Sequence, residues 1–434
     1  MSPEILGLLG FVCIFALLAL GMPIGAALGL VGFAGMTLLY PIQGALIKMA
    51  TTPVEIISSY SFAVMPLFVL MAQVTFTCGF GADLFKLASK WLGHYKGGLA
   101  MASIGGSAGF GACSGSALIT AATVSPIALP EMKKYNYDTK LAVGACAAGG
   151  TIGSLIPPST MFIIYGILTG ASIGKLFCAS LIPAFLTVLS YLLTIYIICK
   201  RNPNAGPPAP AAPLKERFST LKDCWEILVL LVIVIGGMIY GLFTPTDSGA
   251  IGAFGAILLG FMKKRLTWRK LWQAAMETMK IAGVMFTILI GAMIFNFFCA
   301  KTGLPQLAGE WVLSLHVDPW AVVGVIVIIY FFLGMVMEAP SIQILTIPVF
   351  YPIIVTILGY DPIWFGVVQV RMLEITGITP PLGMIAYIMA GANKDVSIGT
   401  VFRGAMPFLL MELITLPIFI FVKPITLWLP SLMK

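Results

Sequence analysis

Long apolar runs, separated by short clusters of polar and charged residues, recur from one end of the chain to the other. Read in order they predict spans at 5–20, 23–40, 62–77, 176–199, 225–243, 248–262, 281–300 and 401–422. Runs of about 18 or more apolar residues suit a bilayer and exceed what a soluble core accommodates. Two further runs break the pattern. Residues 144–166 carry Pro157-Pro158 at their middle, just after Gly149, Gly150 and Gly153, and residues 366–391 carry Pro380-Pro381. Paired prolines remove two amide donors and clash with the preceding turn, so each run is predicted to be two half-helices, at about 139–170 and 361–392. In hydrocarbon the freed carbonyls need a cavity or a ligand. Interrupted spans in corresponding halves point to a site of the kind found in secondary transporters.

Between the spans lie two candidate re-entrant hairpins. Residues 97–130 hold a Gly/Ser-rich centre, GGSAGFGACSGSA, with its tip at Ser114-Gly115-Ser116; residues 321–358 have theirs at Glu338-Ala339-Pro340. Residues 200–223 are rich in Pro and charge and read as a linker. Segments 82–96 and 263–280, with Trp91, Trp268 and Trp272 among lysines, read as helices in the headgroup layer, and 301–319 as a loop.

The two halves, 1–199 and 224–434, read as copies. Tyr137-Asp138 precedes Tyr360-Asp361 by 223 positions, and Pro157-Pro158 precedes Pro380-Pro381 by the same 223. Ser172-Ile173-Gly174 matches Ser397-Ile398-Gly399, Gly79 matches Gly303 and Pro183 matches Pro407, an order of landmarks that indicates duplication. Five crossings and one hairpin per half is an odd number, so the repeats are inverted. The predicted fold is an all-α polytopic membrane protein of two inverted repeats, each with a hairpin and a broken helix.

Composition agrees: of 434 residues, 59% are hydrophobic and 10% charged, with mean hydropathy +1.02. Glu4 rather than a basic region precedes the first run, which is expected to be a retained span. The net charge of +8 does not point to nucleic acid, because Lys and Arg sit in short loops. With both termini placed outside, only Lys48, Lys175, Lys301, Lys423 and Lys434 face outward, Arg371 is in the membrane, and the rest of the 25 basic residues lie inside. The first hairpin then enters from the cytoplasm and the second from the outer face, so that their tips meet near mid-membrane. The eight cysteines lack CxxC spacing, and His94 and His316 are both in expected loops, which disfavours metal or histidine chemistry within the membrane. Ser114 or Ser116 as an enzyme nucleophile would lack an activating base. The absence of a GxxxxGK[ST] loop from the sequence disfavours a primary pump.

The run SGSALITAATVSPIALPEMKKYNYD, the segment GSLIPPST and the segment LEITGITPP resemble the large membrane subunit of tripartite ATP-independent periplasmic (TRAP) transporters, the DctM-like family, over essentially the whole chain. The resemblance implies sodium-driven import of an organic acid across the bacterial inner membrane by an elevator motion. It implies a DctP-like periplasmic binding protein that delivers substrate and a small DctQ-like membrane subunit that braces this one. A stand-alone sodium/dicarboxylate symporter of similar architecture is the alternative. Thr120 stands where the family often has an acidic residue, Met372 where it often has Asn, and Thr376 where it often has Gly, departures that bear on the substrate.

By that resemblance one sodium site combines Ser114 and Ser116 with Gly153, Ile156 and Pro158. The second combines Thr376, Thr379 and Pro381 with backbone near Glu338. Thr120, Ser154, Ser159 and Arg371 are the candidate substrate contacts. Charges inside a membrane are expensive and draw attention to Glu338, Arg371, Glu374 and Glu412. Arg371 either pairs with Glu374, three residues on, or receives a substrate carboxylate. Glu412 is expected to face a scaffold partner.

Overall fold

The computed structural model describes residues 2–392 and 396–433. Lys394 and Lys434, both used in the charge argument, lie outside the described residues. No strand occurs among the described residues; the chain is helical throughout. Among the described residues six helices are long and apolar enough to cross a membrane, and three more apolar helices are slightly shorter.

The first half runs α1 (Pro3–Ala19), α2 (Ile24–Leu39), α3 (Ile42–Ser58), α4 (Val64–Thr77), α5 (Phe80–Leu92), α6 (Gly98–Ser114), α7 (Ala117–Lys134), α8 (Thr139–Leu155), α9 (Thr160–Thr169) and α10 (Ile173–Arg201). The second runs α11 (Leu214–Leu231), a π-helical turn (Val232–Gly236), α12 (Gly237–Ile239), α13 (Pro245–Met262), α14 (Trp268–Thr302), α15 (Leu304–Ser314), α16 (Pro319–Gly334), α17 (Ala339–Tyr351), α18 (Pro362–Thr376), α19 (Met384–Ala392), α20 (Ile398–Phe421) and α21 (Pro424–Ser431).

The duplication reaches down to single hydrogen bonds. Asp138 caps α8 by accepting from the amides of Lys140 (2.7 Å) and Leu141; 223 positions on, Asp361 caps α18 from Ile363 (2.7 Å) and Trp364. Ser172 caps α10 and Ser397 caps α20. Gly79 and Gly303 both adopt left-handed backbone where one helix stops and the next begins, between α4 and α5 and between α14 and α15. The packing is swapped between the halves. Helix α2 packs on α14 as α13 packs on α4, and α7 packs on α19 as α17 packs on α9. Each hairpin thus braces the second half-helix of the other repeat.

Four expectations change. Segment 263–280 is not a separate surface helix, because α14 runs unbroken for 35 residues from Trp268. At about 1.5 Å per residue it is roughly 52 Å long, more than the ~30 Å hydrocarbon core, and no glycine or proline interrupts it before Gly283. Residues 304–314, expected to be loop, form α15 at the place where α5 stands in the first half. Helix α3 was not foreseen; its mixture of polar residues and Pro53 hides its period.

The fourth change concerns the linker. Residues 202–213 are not a free tether: the carbonyls of Gly206 and Ala205 accept from the amides of Gly97 (2.8 Å) and Asp138 (2.9 Å), and the Ala209 amide donates to Gly93. Residues 214–223 belong to α11 and dock on α5 through Lys90–Glu216 (2.8 Å), Lys86–Asp223 (3.9 Å) and the Trp91 indole, which donates to the Arg217 carbonyl. The Pro-rich stretch is a strap across the bases of α6 and α8.

Candidate functional site

Helix α8 stops at Leu155 because Pro157 and Pro158 follow. The carbonyls of Gly153 and Ser154 would each need an amide four residues on, and those positions are the two prolines, which have none. The first hairpin tip closes against this break. Its Gly115 has left-handed φ of +58°, and a Cβ there would collide with the Pro158 carbonyl oxygen. The backbone amide and hydroxyl of Thr160 both donate to the Gly115 carbonyl at 3.1 Å, tying the tip to the start of α9. Ser114 Oγ lies 2.7 Å from Thr120 Oγ1, and a side chain on Gly153 would meet the Ser116 carbonyl at 2.8 Å. Ser114, Ser116, Gly153 and Pro158 are therefore neighbours, with backbone and hydroxyl oxygens of the kind a hard cation takes.

The second break is more self-contained. Thr376 Oγ1 donates to Leu373 O and Thr379 Oγ1 to Ile375 O, each at 2.6 Å. The Thr376 carbonyl accepts from Thr379 (3.2 Å) and the Gly377 carbonyl from Ile385 (3.1 Å). Each hydroxyl, its proton spent on its own helix, still presents lone pairs outward. Pro381 is exposed. At the tip, Glu338 precedes α17 and accepts from Ser341 Oγ at 3.4 Å.

Both tips and both breaks line one cavity of about 260 Å³. Four helices begin at it: α7 through Ser116–Ile119, α9 through Thr160 and Met161, α17 through Glu338–Pro340, and α19 through Gly383–Ile385. The partial positive charge of four N-termini converges there, a field suited to an anion. Ser154, Gly334 and Thr376, at or next to the C-terminal ends of α8, α16 and α18, line the same cavity, with the polarity a cation prefers. Ile281 and Met285 of α14 complete the wall.

The sequence-predicted residues divide. Ser116, Ser154, Glu338 and Thr376 line the cavity. Thr120 and Ser159 are fully buried behind it. Arg371 does not reach it: the side chain is wholly buried, its Nη1 is 3.1 Å from Glu374 Oε2, and its Nη2 pairs with Glu412. Glu412 in turn accepts from the Tyr191 hydroxyl, which sits 3.1 Å from Thr151 Oγ1. The expectation that Arg371 contacts substrate is corrected for this conformation, because two carboxylates already occupy its guanidinium. Glu412 faces inward to Arg371 rather than toward a partner; one cation and two anions so deep in the protein leave it nowhere else to be paired. Among the polar lining residues Thr160 was missed, hidden as an ordinary residue after the break; Glu374, singled out as an intramembrane charge, both pairs with Arg371 and lines the cavity.

The chain matches the profile of "Tripartite ATP-independent periplasmic transporter, DctM component" over residues 11–425. It is 31% identical over 408 residues to the C4-dicarboxylate TRAP transporter large permease protein DctM of Pseudomonas aeruginosa, covering 93% of this chain and 94% of that protein. It is also 31% identical to the sialic acid TRAP transporter large permease protein SiaM of Vibrio cholerae, covering 96% of each. Its fold is similar to that of the Alcanivorax borkumensis YdaH transporter, whose crystal structure has an unusual topology, with a TM-score of 0.60 at 15% identity over 96% of this chain and 98% of that one. The sequence relatives are permease proteins and not enzymes. Broken helices, paired hairpins and near full-length similarity together place this chain in the DctM-component family of tripartite ATP-independent periplasmic transporters.

Proposed function

We propose that this permease subunit imports an organic acid across the bacterial inner membrane, coupled to sodium, by an elevator motion of its hairpins and broken helices. The observation that carries this reading is one cavity on which four helix N-termini converge and which Ser154 lines, beside a break whose two prolines cannot supply the amides that the Gly153 and Ser154 carbonyls would take in a regular helix. The N-termini hold the carboxylate, which the Ser154 hydroxyl orients, while Thr160 ties the first hairpin tip to the start of α9. Ser114, Ser116, Gly153, Ile156 and Pro158 form the first sodium site; Thr376, Thr379, Pro381 and backbone at Glu338 form the second. Thr120 and Ser159 support the first site from behind, and Arg371 holds α18 against α20. The apolar wall of α14 supports the elevator reading, because packed apolar surfaces can slide with little cost in hydrogen bonds.

A tripartite system needs two further components, a periplasmic binding protein and a small membrane subunit, and the match to the DctM profile favours these over a stand-alone symporter. Both termini are placed in the periplasm on the charge distribution of the loops. The test is uptake into proteoliposomes of the permease with its co-purifying small subunit, plus the binding protein. Uptake that requires an inward sodium gradient and the binding protein supports the reading. Equal uptake in potassium contradicts the coupling, and equal uptake without binding protein favours the stand-alone carrier.

A further inference from the structure

The two relatives, equally similar to this chain, are named for different substrates, a C4-dicarboxylate and a sialic acid. Overall similarity therefore does not carry the substrate, and the cavity lining has to. No Lys, Arg or His lines the cavity among the described residues. Arg371 is paired with Glu374 and Glu412, and Lys280 lies in the adjoining groove, exposed and paired with Glu277 at 2.6 Å, rather than on this wall. Two carboxylates, Glu338 and Glu374, do line it. Beyond these acids its polar side chains are hydroxyls, and the hydroxyl proton of Thr376 is already spent on the Leu373 carbonyl. The rest of the wall is Leu, Ile, Met, Ala, Pro and Gly.

From this lining we infer that the cavity selects a monocarboxylate with a compact apolar body over dicarboxylates and polyhydroxylated acids. The inference rests on the anion-import reading above. One carboxylate is met by the converging helix N-termini. A second finds no cation on the cavity wall and faces Glu338, whose like charge at close range opposes its binding, whereas Glu374 is already paired with Arg371. Glu338, Glu374 and the lining hydroxyls can accept from a few hydroxyls of a sugar acid, but the Leu, Ile, Met, Ala, Pro and Gly wall offers no partner to the rest, and each hydroxyl buried there unpaired weakens binding. A branched hydrocarbon body instead meets Leu118, Met161, Met285 and Leu373 and loses nothing.

The test measures thermal stabilisation of the purified full-length permease, with its co-purifying subunit, in sodium buffer. The probes are 4-methylpentanoate, succinate, gluconate and the uncharged 4-methylpentanamide. Stabilisation by 4-methylpentanoate at a concentration at least about tenfold below that needed for succinate or gluconate, with no effect of the amide, supports the inference. Succinate or gluconate acting at equal or lower concentration overturns it while leaving the anion reading intact. An equal effect of the amide, or no effect of any anion, overturns the anion reading and the inference with it. Glu338→Gln removes one lining charge and is expected to narrow the gap between the two carboxylates; an unchanged or wider gap overturns the charge argument.

Discussion

Gly111 on the first hairpin lies directly against Gly153 on the first broken helix: a Cβ on Gly111 would fall 2.8 Å from the Gly153 Cα. The same relationship recurs 223 positions later, where a Cβ on Gly334 would collide with the side chain of Thr376. Hairpin and break thus touch backbone to backbone in the first repeat, and backbone to a single small side chain in the second. Gly111→Ala has no flexible group to push aside and is expected to lower stability by about 1–3 kcal/mol. Gly29→Ala makes the useful contrast, since its Cβ would sit an ordinary 3.7 Å from Gly291 and should be neutral or mildly stabilising. Thermal unfolding in detergent compares the two; equal losses would contradict the packing described.

The Arg371 cluster joins α8, α10, α18 and α20 through Thr151, Tyr191, Glu374 and Glu412. Arg371→Met strands two buried carboxylates and is expected to cost about 3–5 kcal/mol. Tyr191→Phe removes one hydrogen bond and costs about 1–3 kcal/mol. Combining Arg371→Met with Glu374→Gln and Glu412→Gln should recover part of the first loss. A stable Arg371→Met protein whose defect lies only in substrate affinity would return Arg371 to a substrate role.

The strap over the bases of α6 and α8 is held where only glycine fits: a side chain on Gly206 would begin 2.8 Å from the Gly97 Cα and 3.0 Å from Cys199 Sγ. Gly206→Val is expected to release it. Limited trypsin digestion reads this out as faster cleavage near Arg201 and Lys215 than in the wild type; unchanged cleavage would mean that the strap is not held there.

Membrane orientation has its own test. In a cysteine-free background, Lys175→Cys should react with an impermeant maleimide on intact cells, and Lys134→Cys only after the membrane is opened. The reverse pattern would invert the topology.

Much of this was legible because the signals were local and doubled. The proline pairs end α8 and α18 by chemistry that needs no tertiary context, and Ser114-Gly115-Ser116 is a turn in any setting. The ordered landmarks, repeating at 223 to 225 positions, carried the rest, and they would also have exposed α15, since Gly303 repeats Gly79 at 224 and a helix follows Gly79. Other features had no such marker. Helix α14 fuses what the first half keeps apart as α3 and α4, and the fusion depends only on the absence of a breaker. Arg371, Glu374 and Glu412 were conspicuous as intramembrane charges, yet three charges on two helices admit several pairings, and Tyr191 gave no sign of joining them. The docked strap is held by backbone amides, which composition does not report.

Pro157 and Pro158 leave the carbonyls of Gly153 and Ser154 without amide partners in a regular helix, and the proposed sodium site uses these freed oxygens. The most direct measurement is the sodium dependence of thermal unfolding, against equal potassium, for the wild type and for the Pro157→Ala/Pro158→Ala variant. The new amides would satisfy those carbonyls in a regular helix. Sodium is predicted to raise the melting temperature of the wild type and to leave that of the membrane-inserted, folded variant unmoved; a variant that keeps the full sodium response would contradict the account.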